Sequence, residues 1–150
     1  MPQSLSKLYV HIVFSTKYRR PSIDEEIEQE LWTYLGGICK ALECNPLRVG
    51  GYNDHIHICC QLSRKITQMK LLEEIKKESS KWIKTKGRRY EKFYWQDGYG
   101  IFSVDYSGVE RVVEYIKNQR EHHSKRIFKE EFIAFLRRYD VEYDERYLWD

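Results

Sequence analysis

The sequence predicts an α+β protein with a ferredoxin-like split βαβ arrangement, in which helices cover one face of an antiparallel sheet and further helices follow at the C-terminal end. Three observations predict it. Alternating apolar residues mark four short strands, helical periodicity marks amphipathic segments between them, and the element order is β-α-β-β-α-β. The 150 residues are expected to form one domain, 1–150, because this length supports a single apolar core.

The first half of the chain predicts a strand, a helix and a hairpin. Residues 8–14 alternate as expected for the first strand. Residues 22–25 fit a capping box, and apolar residues recur at helical spacing over 27–42, which predicts the first helix. A weak second strand at 47–49 and a glycine-bearing turn lead directly into the third strand.

The second half predicts three more helices and a strand. A helix is expected from about Thr67 to Lys84, with a fourth strand at 101–105. Ser107 to Glu110 again fit a capping box and open a helix that continues to about His122. The buried stripes of these two helices are expected to comprise Met69, Leu72, Ile75, Ser79, Trp82 and Ile83 in one, and Val109, Val112, Val113 and Ile116 in the other.

The tail beyond about Phe128 predicts one more amphipathic helix. It carries no catalytic motif. The aromatic segment 93–100 is compatible either with a packed loop or with an exposed surface on which nucleic-acid bases stack.

His55 and His57 flank Ile56 on the third strand. Alternate side chains of a strand point to opposite faces, so both imidazoles lie on one face while Ile56 enters the core. If helices cover only one face, the histidines lie on the open side, where two imidazoles can hold a divalent metal ion. Two histidines at the sheet surface are the simpler alternative.

The helix predicted after residue 107 carries a second stripe beside its apolar face. Tyr115, Gln119 and His122 fall on it, because residues three, four and seven apart align on a helix. If these side chains face the histidine pair, Gln119 is a candidate metal ligand and Tyr115 can reach a phosphate on the metal. A phenol is a weak nucleophile at its ordinary pKa of ~10, but a cation that polarises the phosphorus allows it to attack.

Positive charge is concentrated in residues 63–92, which hold eleven Lys and Arg against four Glu, a net +7, although the whole chain is only +3. Basic residues interleaved with aromatic ones suit nucleic acid; a solvated helix face is the alternative. The candidate DNA-binding residues are Lys17, Arg19, Arg20, Lys70, Lys77, Lys81, Lys84, Arg88 and Arg89.

The motifs His55-Ile56-His57 and Tyr115-Ile116-Lys117-Asn118-Gln119 resemble those of the small single-tyrosine HUH transposases of bacterial insertion sequences and their REP-associated tyrosine transposase relatives. HUH denotes two histidines around a hydrophobic residue. Residues 11–20 resemble the family's opening strand, and 98–104 resemble the stretch before its tyrosine helix.

This resemblance implies an enzyme dependent on Mg²⁺ or Mn²⁺ that cuts and rejoins single-stranded DNA at element ends. It implies recognition of nearby DNA hairpins, a 5′-phosphotyrosine intermediate, and a homodimer whose active site is completed in trans. Carried over residue by residue, His55, His57 and Gln119 are metal ligands and Tyr115 is the nucleophile. From the tail beyond about Phe128 we expect only packing or DNA contacts.

Two other function classes remain open at this point. One is a domesticated single-stranded DNA- or RNA-binding protein that no longer moves DNA, and the other is a metal-dependent phosphodiesterase in which water attacks. RNA-binding modules of this topology carry aromatic residues on the central strands, whereas this strand carries histidines.

Several nearby side chains could assist or replace the proposed ligands. Cys59 shares the histidine face, Asp54 could orient a histidine, and His122 and His123 could contact phosphate, although surface histidines are the simpler interpretation. His11 is expected to be a structural or sheet-surface histidine.

The rest of the composition indicates an intracellular setting. Four cysteines without a C-x-x-C pair fit a reducing compartment. No apolar run approaches the ~20 residues that span a bilayer, and no signal peptide is recognisable. We therefore expect a cytoplasmic protein without membrane contact.

Overall fold

The sheet is as the sequence predicts. In the computed structural model, which describes residues 2–123 and 125–150, four antiparallel strands lie in the order β2-β3-β1-β4. They are β1 (Tyr9–Ser15), β2 (Pro46–Gly51), β3 (His55–Gln61) and β4 (Gly100–Val104). In the central pair, Val13 lies opposite His57 and Ser15 opposite His55. The two histidines therefore share their face of the sheet with alternate residues of β1.

Two long helices cover the other face. They are α1 (Glu25–Ala41) and α2 (Gln68–Lys84). The main apolar core lies between them and the sheet and takes Ile56 and Ile58 from β3, together with Leu31 and Leu72 from the helices. The predicted division of β3 into a core face and a histidine face is confirmed.

The remaining helices follow β4. They are α3 (Val109–Lys117), α4 (Gln119–His122), α5 (Phe128–Arg138) and the short α6 (Glu145–Leu148). No helix in 2–123 or 125–150 is long and apolar enough to cross a membrane. The ferredoxin-like class with additional C-terminal helices is thus confirmed.

The histidine face of the sheet is not open, and this prediction was wrong. α5 lies over it and forms a second apolar cluster with the sheet, in which Phe128, Phe132 and Leu136 pack around Val13 and Phe102. As a result, His55 and His57 have no exposed surface. The helical periodicity of the tail predicted α5 itself, but not the face on which it packs.

Helix starts also differ from the predicted capping boxes. α1 begins after Asp24, whose carboxylate accepts from the backbone N–H of Ile27, so the cap lies two residues later than Ser22. Near α3, Asp105 caps a preceding 3-10 turn, and Gly108 begins the helix without a side-chain cap. In both places an aspartate, rather than the serine, accepts from the free backbone N–H groups.

The predicted buried stripes are only partly correct. Met69 is 70% exposed, and Leu71 is buried in its place. In α3 only Ile116 is buried. The helix predicted to continue to His122 is interrupted at Asn118, so α3 and α4 are two segments.

Candidate metal and nucleophile site

Both histidines of β3 are held from behind by a second side chain. Nδ1 of His55 donates to Oδ1 of Asp54 at 2.7 Å, and Nδ1 of His57 lies 2.8 Å from Nε2 of His11. Buried metal-binding histidines are commonly oriented in this way through the nitrogen that does not bind the metal. Both Nε2 atoms are therefore directed toward the space beneath α3, α4 and α5.

Gln119 and Tyr115 reach that same space. Oε1 of Gln119 lies 2.9 Å from Nε2 of His55, and the Gln119 side chain is buried. The ring centroid of Tyr115 lies 5.8 Å from that of His57. The structure thus brings the four predicted catalytic and ligand residues together within one chain, although the interruption at Asn118 separates Tyr115 and Gln119 into adjacent helices.

The sequence reasoning missed Glu131. This α5 residue is fully buried, and its Oε1 lies 3.0 Å from Nε2 of His57. Its Oε2 accepts a hydrogen bond from the hydroxyl of Tyr115. One signal could have revealed it, since Glu131 falls on the apolar face of α5, between Phe128 and Phe132. A carboxylate on a buried helical stripe points to a specific partner.

The two histidines after Gln119 also belong to the site. Nε2 of His123 lies 3.1 Å from Oε1 of Gln119, and the His123 side chain is only 4% exposed. The ring of His122 stacks on Tyr115 with centroids 4.6 Å apart. The surface interpretation of His123 was therefore wrong. His11, which is 3% exposed, is a buried residue rather than a sheet-surface one.

Burial favours neutral imidazoles here. Desolvation lowers the pKa of His57, and it lowers the pKa of His11 well below its usual value, with His57 adding to the effect. A neutral imidazole has the free lone pair that metal binding requires.

The acidic groups of the site shift in opposite directions. Burial alone would raise the pKa of Glu131, but the neighbouring His57 and His123 outweigh it and hold that pKa well below the usual range. The pKa of Tyr115 is raised, first by burial and then by the charge of Glu131. Tyr115 is thus a neutral phenol in this arrangement and needs a nearby cation to become a nucleophile.

The donor set fits the divalent ion that the resemblance implies. The amide and carboxylate oxygens are donors that Mg²⁺ and Mn²⁺ prefer, whereas the two imidazole nitrogens suit Zn²⁺ and Fe²⁺ as well. The ligand atoms of His55, His57 and Glu131 all lie within 4.8 Å of one another. Cys59 is not in this group, although it is buried on the same strand.

A cavity of about 760 Å³ opens beside Tyr115. Tyr115, Glu131 and His11 form its inner wall, and it lies between α5 and the start of α3. Three arginines line it, namely Arg111, Arg126 and Arg138. Asp105 and Glu131 line it as well, so the wall beside the nucleophile has three positive and two negative side chains.

The basic residues predicted to bind DNA lie elsewhere. Lys70, Lys77, Lys81 and Lys84 are on α2, across the sheet from the histidines. Several of the charges are already paired, since Lys70 and Lys77 contact Glu74, and Arg89 contacts Asp24 and Glu26. Lys17 and Arg19 lie in a 3-10 turn directly after β1, beside Arg20. A role in DNA binding stays a prediction for all nine residues.

The aromatic segment 93–100 is mainly a packed loop. Phe93 and Trp95 are buried, and the indole N–H of Trp95 donates to Oγ of Ser79 at 2.9 Å. Only Tyr94 is strongly exposed among these three aromatic residues, at 58%, and Nζ of Lys84 lies 4.4 Å from its ring centroid.

Two solved structures share the fold. A Deinococcus radiodurans R1 protein described as a transposase aligns with a TM-score of 0.62 at 19% identity, over 79% of this chain and 98% of that one. A REP-associated tyrosine transposase bound to a REP hairpin aligns with a TM-score of 0.57 at 13% identity, over 82% of this chain and 73% of that one. At these identities the two structures support the fold alone.

The sequence comparisons identify the family. The transposases for insertion sequence element IS200 of Salmonella typhimurium and Salmonella typhi are each 28% identical to this chain over 118 residues, covering 74% of this chain and 76% of theirs. The family model described as "Transposase IS200 like" matches residues 4–119, a span that contains His55, His57, Tyr115 and Gln119. The chain therefore belongs to the IS200-like transposase family.

Proposed function

We propose that this transposase is a metal-dependent, single-tyrosine HUH enzyme that cuts and rejoins single-stranded DNA through a 5′-phosphotyrosine intermediate. The observation that carries the proposal is the convergence of Tyr115 with His55, His57 and Gln119 in one buried site. Tyr115 is the nucleophile, and the other three residues hold Mg²⁺ or Mn²⁺.

The reaction is a transesterification. The phenol oxygen of Tyr115 forms a bond to the scissile phosphorus, and the bond from phosphorus to the 3′-oxygen of the preceding nucleotide breaks. The phenol loses its proton and the leaving 3′-oxygen gains one, which gives a free 3′-OH and a tyrosine ester of the 5′-phosphate. A second 3′-OH reverses the step and rejoins DNA without ATP, because the ester preserves the phosphodiester bond energy. When bound, the divalent ion offsets negative charge that develops on the phosphate oxygens.

The chain's own residues set up this step. Asp54 and His11 fix the rings of His55 and His57, so that both Nε2 atoms face the side chains of Gln119 and Glu131. The stacked ring of His122 restricts the Tyr115 phenol. Because α5 covers the histidine face of the sheet, bulk water is excluded from His55 and His57. Exclusion of water strengthens electrostatic interactions at a reacting phosphate.

The DNA is expected to occupy two regions. The cavity that contains Arg111 and Arg138 would take the single-stranded segment at the scissile phosphate. The basic residues of α2 and of the turn after β1 would take the hairpin. The hairpin bound to the REP-associated tyrosine transposase of similar fold supports a hairpin ligand for this chain as well.

A homodimer remains part of the proposal, as the family resemblance implies. Completion of the site in trans is not required by the geometry, because Gln119 already lies 2.9 Å from His55 of the same chain. In a trans arrangement, α3 and α4 would have to exchange between the two copies.

Incubation with labelled single-stranded element ends and Mg²⁺ tests the proposal. We expect a covalent protein–DNA adduct from the unaltered protein, and none from Tyr115→Phe, which keeps the ring but lacks the attacking oxygen. Hairpin binding by this variant should be unchanged. Tyr94→Phe is a matched control, because Tyr94 is exposed and lies outside the site. DNA cleavage by Tyr115→Phe would contradict the nucleophile assignment and would indicate attack by water.

A further inference from the structure

Glu131 has contacts that packing alone does not explain. Its Oε1 lies 3.0 Å from Nε2 of His57, 3.5 Å from Nε2 of His55 and 3.2 Å from Nε2 of His123. Its Oε2 accepts from Tyr115, and Nε2 of Gln119 lies 3.3 Å away. Both oxygens of this buried carboxylate therefore contact the predicted ligands and the predicted nucleophile.

Burial of this carboxylate is costly unless it has a dedicated partner. The neighbouring buried positions of α5 are apolar, including Phe128, Phe132 and Leu136. A leucine at 131 would continue that face, and apolar replacements of buried ionic groups are often neutral or stabilising. The choice of glutamate therefore indicates a function in the site rather than in the core.

The separations match the edges of a metal coordination shell. Adjacent ligands of an octahedral ion with bonds of about 2.1 Å lie about 3.0 Å apart. Oε1 of Glu131 lies 3.0 Å from Nε2 of His57, and Oε1 of Gln119 lies 2.9 Å from Nε2 of His55. Each of these two pairs thus has the spacing of adjacent ligands, and the ligand atoms of His55, His57 and Glu131 lie within 4.8 Å of one another.

The charge of the ligand set also indicates that Glu131 has a role at the metal ion. His55, His57 and Gln119 are a neutral set when they bind a divalent ion, whereas hard ions prefer carboxylate oxygen. In the absence of DNA, a buried ion held by neutral groups alone would have both of its charges uncompensated. Glu131 supplies one negative charge at hydrogen-bond distance from the ligands.

We propose that Glu131 is a fourth protein ligand of the divalent ion, through Oε1, while its Oε2 holds the hydroxyl of Tyr115 beside that ion. This inference rests on the metal site of the proposed function and adds to it a ligand from α5. It also connects α5 to the reaction, since one side chain of this helix would bind the metal ion and contact the nucleophile.

Mn²⁺ binding without DNA tests the proposal separately from catalysis. Binding is measured by calorimetry, and by electron paramagnetic resonance of free Mn²⁺, on the full-length protein. We expect Glu131→Gln, which keeps the shape but removes the charge, to raise the Mn²⁺ dissociation constant by at least about 10-fold. Glu130→Gln is the matched control, because Glu130 is the preceding residue of α5 and is exposed, so this variant should leave Mn²⁺ binding unchanged.

A second readout separates a ligand from a structural residue. With Glu131→Gln, excess Mn²⁺ should restore part of the covalent adduct formation, because weakened metal binding is overcome by concentration whereas misfolding is not. Circular dichroism and thermal unfolding check the fold. If Glu131→Gln does not fold, Glu131→Asp, which keeps the charge but shortens the side chain, takes its place and should also weaken Mn²⁺ binding.

The outcomes are distinguishable. If Glu131→Gln binds Mn²⁺ as tightly as the unaltered protein while His57→Ala does not, Glu131 is not a ligand and the proposed function still stands. If the unaltered protein itself does not bind Mn²⁺, both this inference and the metal dependence of the proposed function are overturned. If Mn²⁺ binds normally but no Tyr115 adduct forms, the nucleophile assignment alone fails.

Discussion

Nε2 of His11 lies 2.8 Å from Nδ1 of His57, and both rings are buried. When a metal ion takes the place of the proton on Nε2 of His57, Nδ1 of His57 carries the remaining proton and can donate it to Nε2 of His11. His11 is thus a positioning residue for a ligand on the neighbouring strand.

This hydrogen bond predicts that His11→Leu weakens Mn²⁺ binding by about 10-fold or more, because leucine offers His57 no acceptor. His11→Gln, which provides an amide oxygen as a replacement acceptor, should bind Mn²⁺ better than His11→Leu. Calorimetric titration of the three proteins measures the effect. Equal affinities for His11→Leu and the unaltered protein would show that His57 needs no orienting partner.

The arrangement of Tyr115 and His57 within one chain predicts the outcome of a mixing experiment. We combine Tyr115→Phe protein with His57→Ala protein, each inactive alone. If each site forms within one chain, the mixture should also be inactive, because no copy holds both residues. Covalent adduct formation is measured, with unaltered protein diluted by either variant as the control. Recovery of activity in the mixture would instead establish the trans arrangement that the family resemblance implies.

The lysines of α2 predict a salt-dependent contribution to hairpin binding. Replacing Lys81 and Lys84 by glutamine should weaken binding of a DNA hairpin. It should also reduce the slope of log affinity against log salt by about 1 for each phosphate that is no longer neutralised. Lys65→Gln serves as the control, because Lys65 is paired with Glu43 and is outside the predicted set. An unchanged slope in the double variant would mean that these lysines are only solvated.

The arginines of the cavity predict a different defect. Arg111→Gln and Arg138→Gln should slow adduct formation on a single-stranded substrate while leaving hairpin affinity nearly unchanged, because both residues line the approach to Tyr115. Adduct rates and hairpin dissociation constants measure the two effects separately. Weaker hairpin binding with a normal adduct rate would place the hairpin, not the single strand, in this cavity.

A close approach between β2 and α3 predicts opposite effects of two glycine substitutions. A Cβ at Gly50 would lie 2.9 Å from both Cγ2 and the carbonyl oxygen of Ile116, so Gly50→Ala must push α3 away from the sheet. We expect a decrease of about 1–3 kcal/mol in the free energy of unfolding. At Gly37, inside α1, a Cβ would meet no other atom within 4 Å. Gly37→Ala should therefore increase the free energy of unfolding by about 0.5–1 kcal/mol. Urea denaturation measures both, and a neutral Gly50→Ala would mean that α3 is loosely held.

Much of the site could be predicted because it depends on the regular spacing of side chains along a strand and along a helix. The strand period places His55 and His57 on one face, and the helical period places Tyr115 near Gln119. Both relationships survive in the structure, even though the helix is interrupted at Asn118. Periods of two and 3.6 residues follow from backbone geometry, which local sequence specifies.

What the sequence by itself determined is the sheet, its two-sided pattern and the four residues that converge on the site. Only the tertiary structure decided that α5 closes the histidine face, that His11 and Asp54 orient the two rings, and that Glu131 enters between them. His11 and His57 are 46 positions apart in the sequence, and His55 and Glu131 are 76 apart. Asp54 and His55 are adjacent, but their hydrogen bond depends on how the imidazole ring is oriented. No local period encodes them, because the direction in which a tail helix packs depends on the whole apolar surface that it covers.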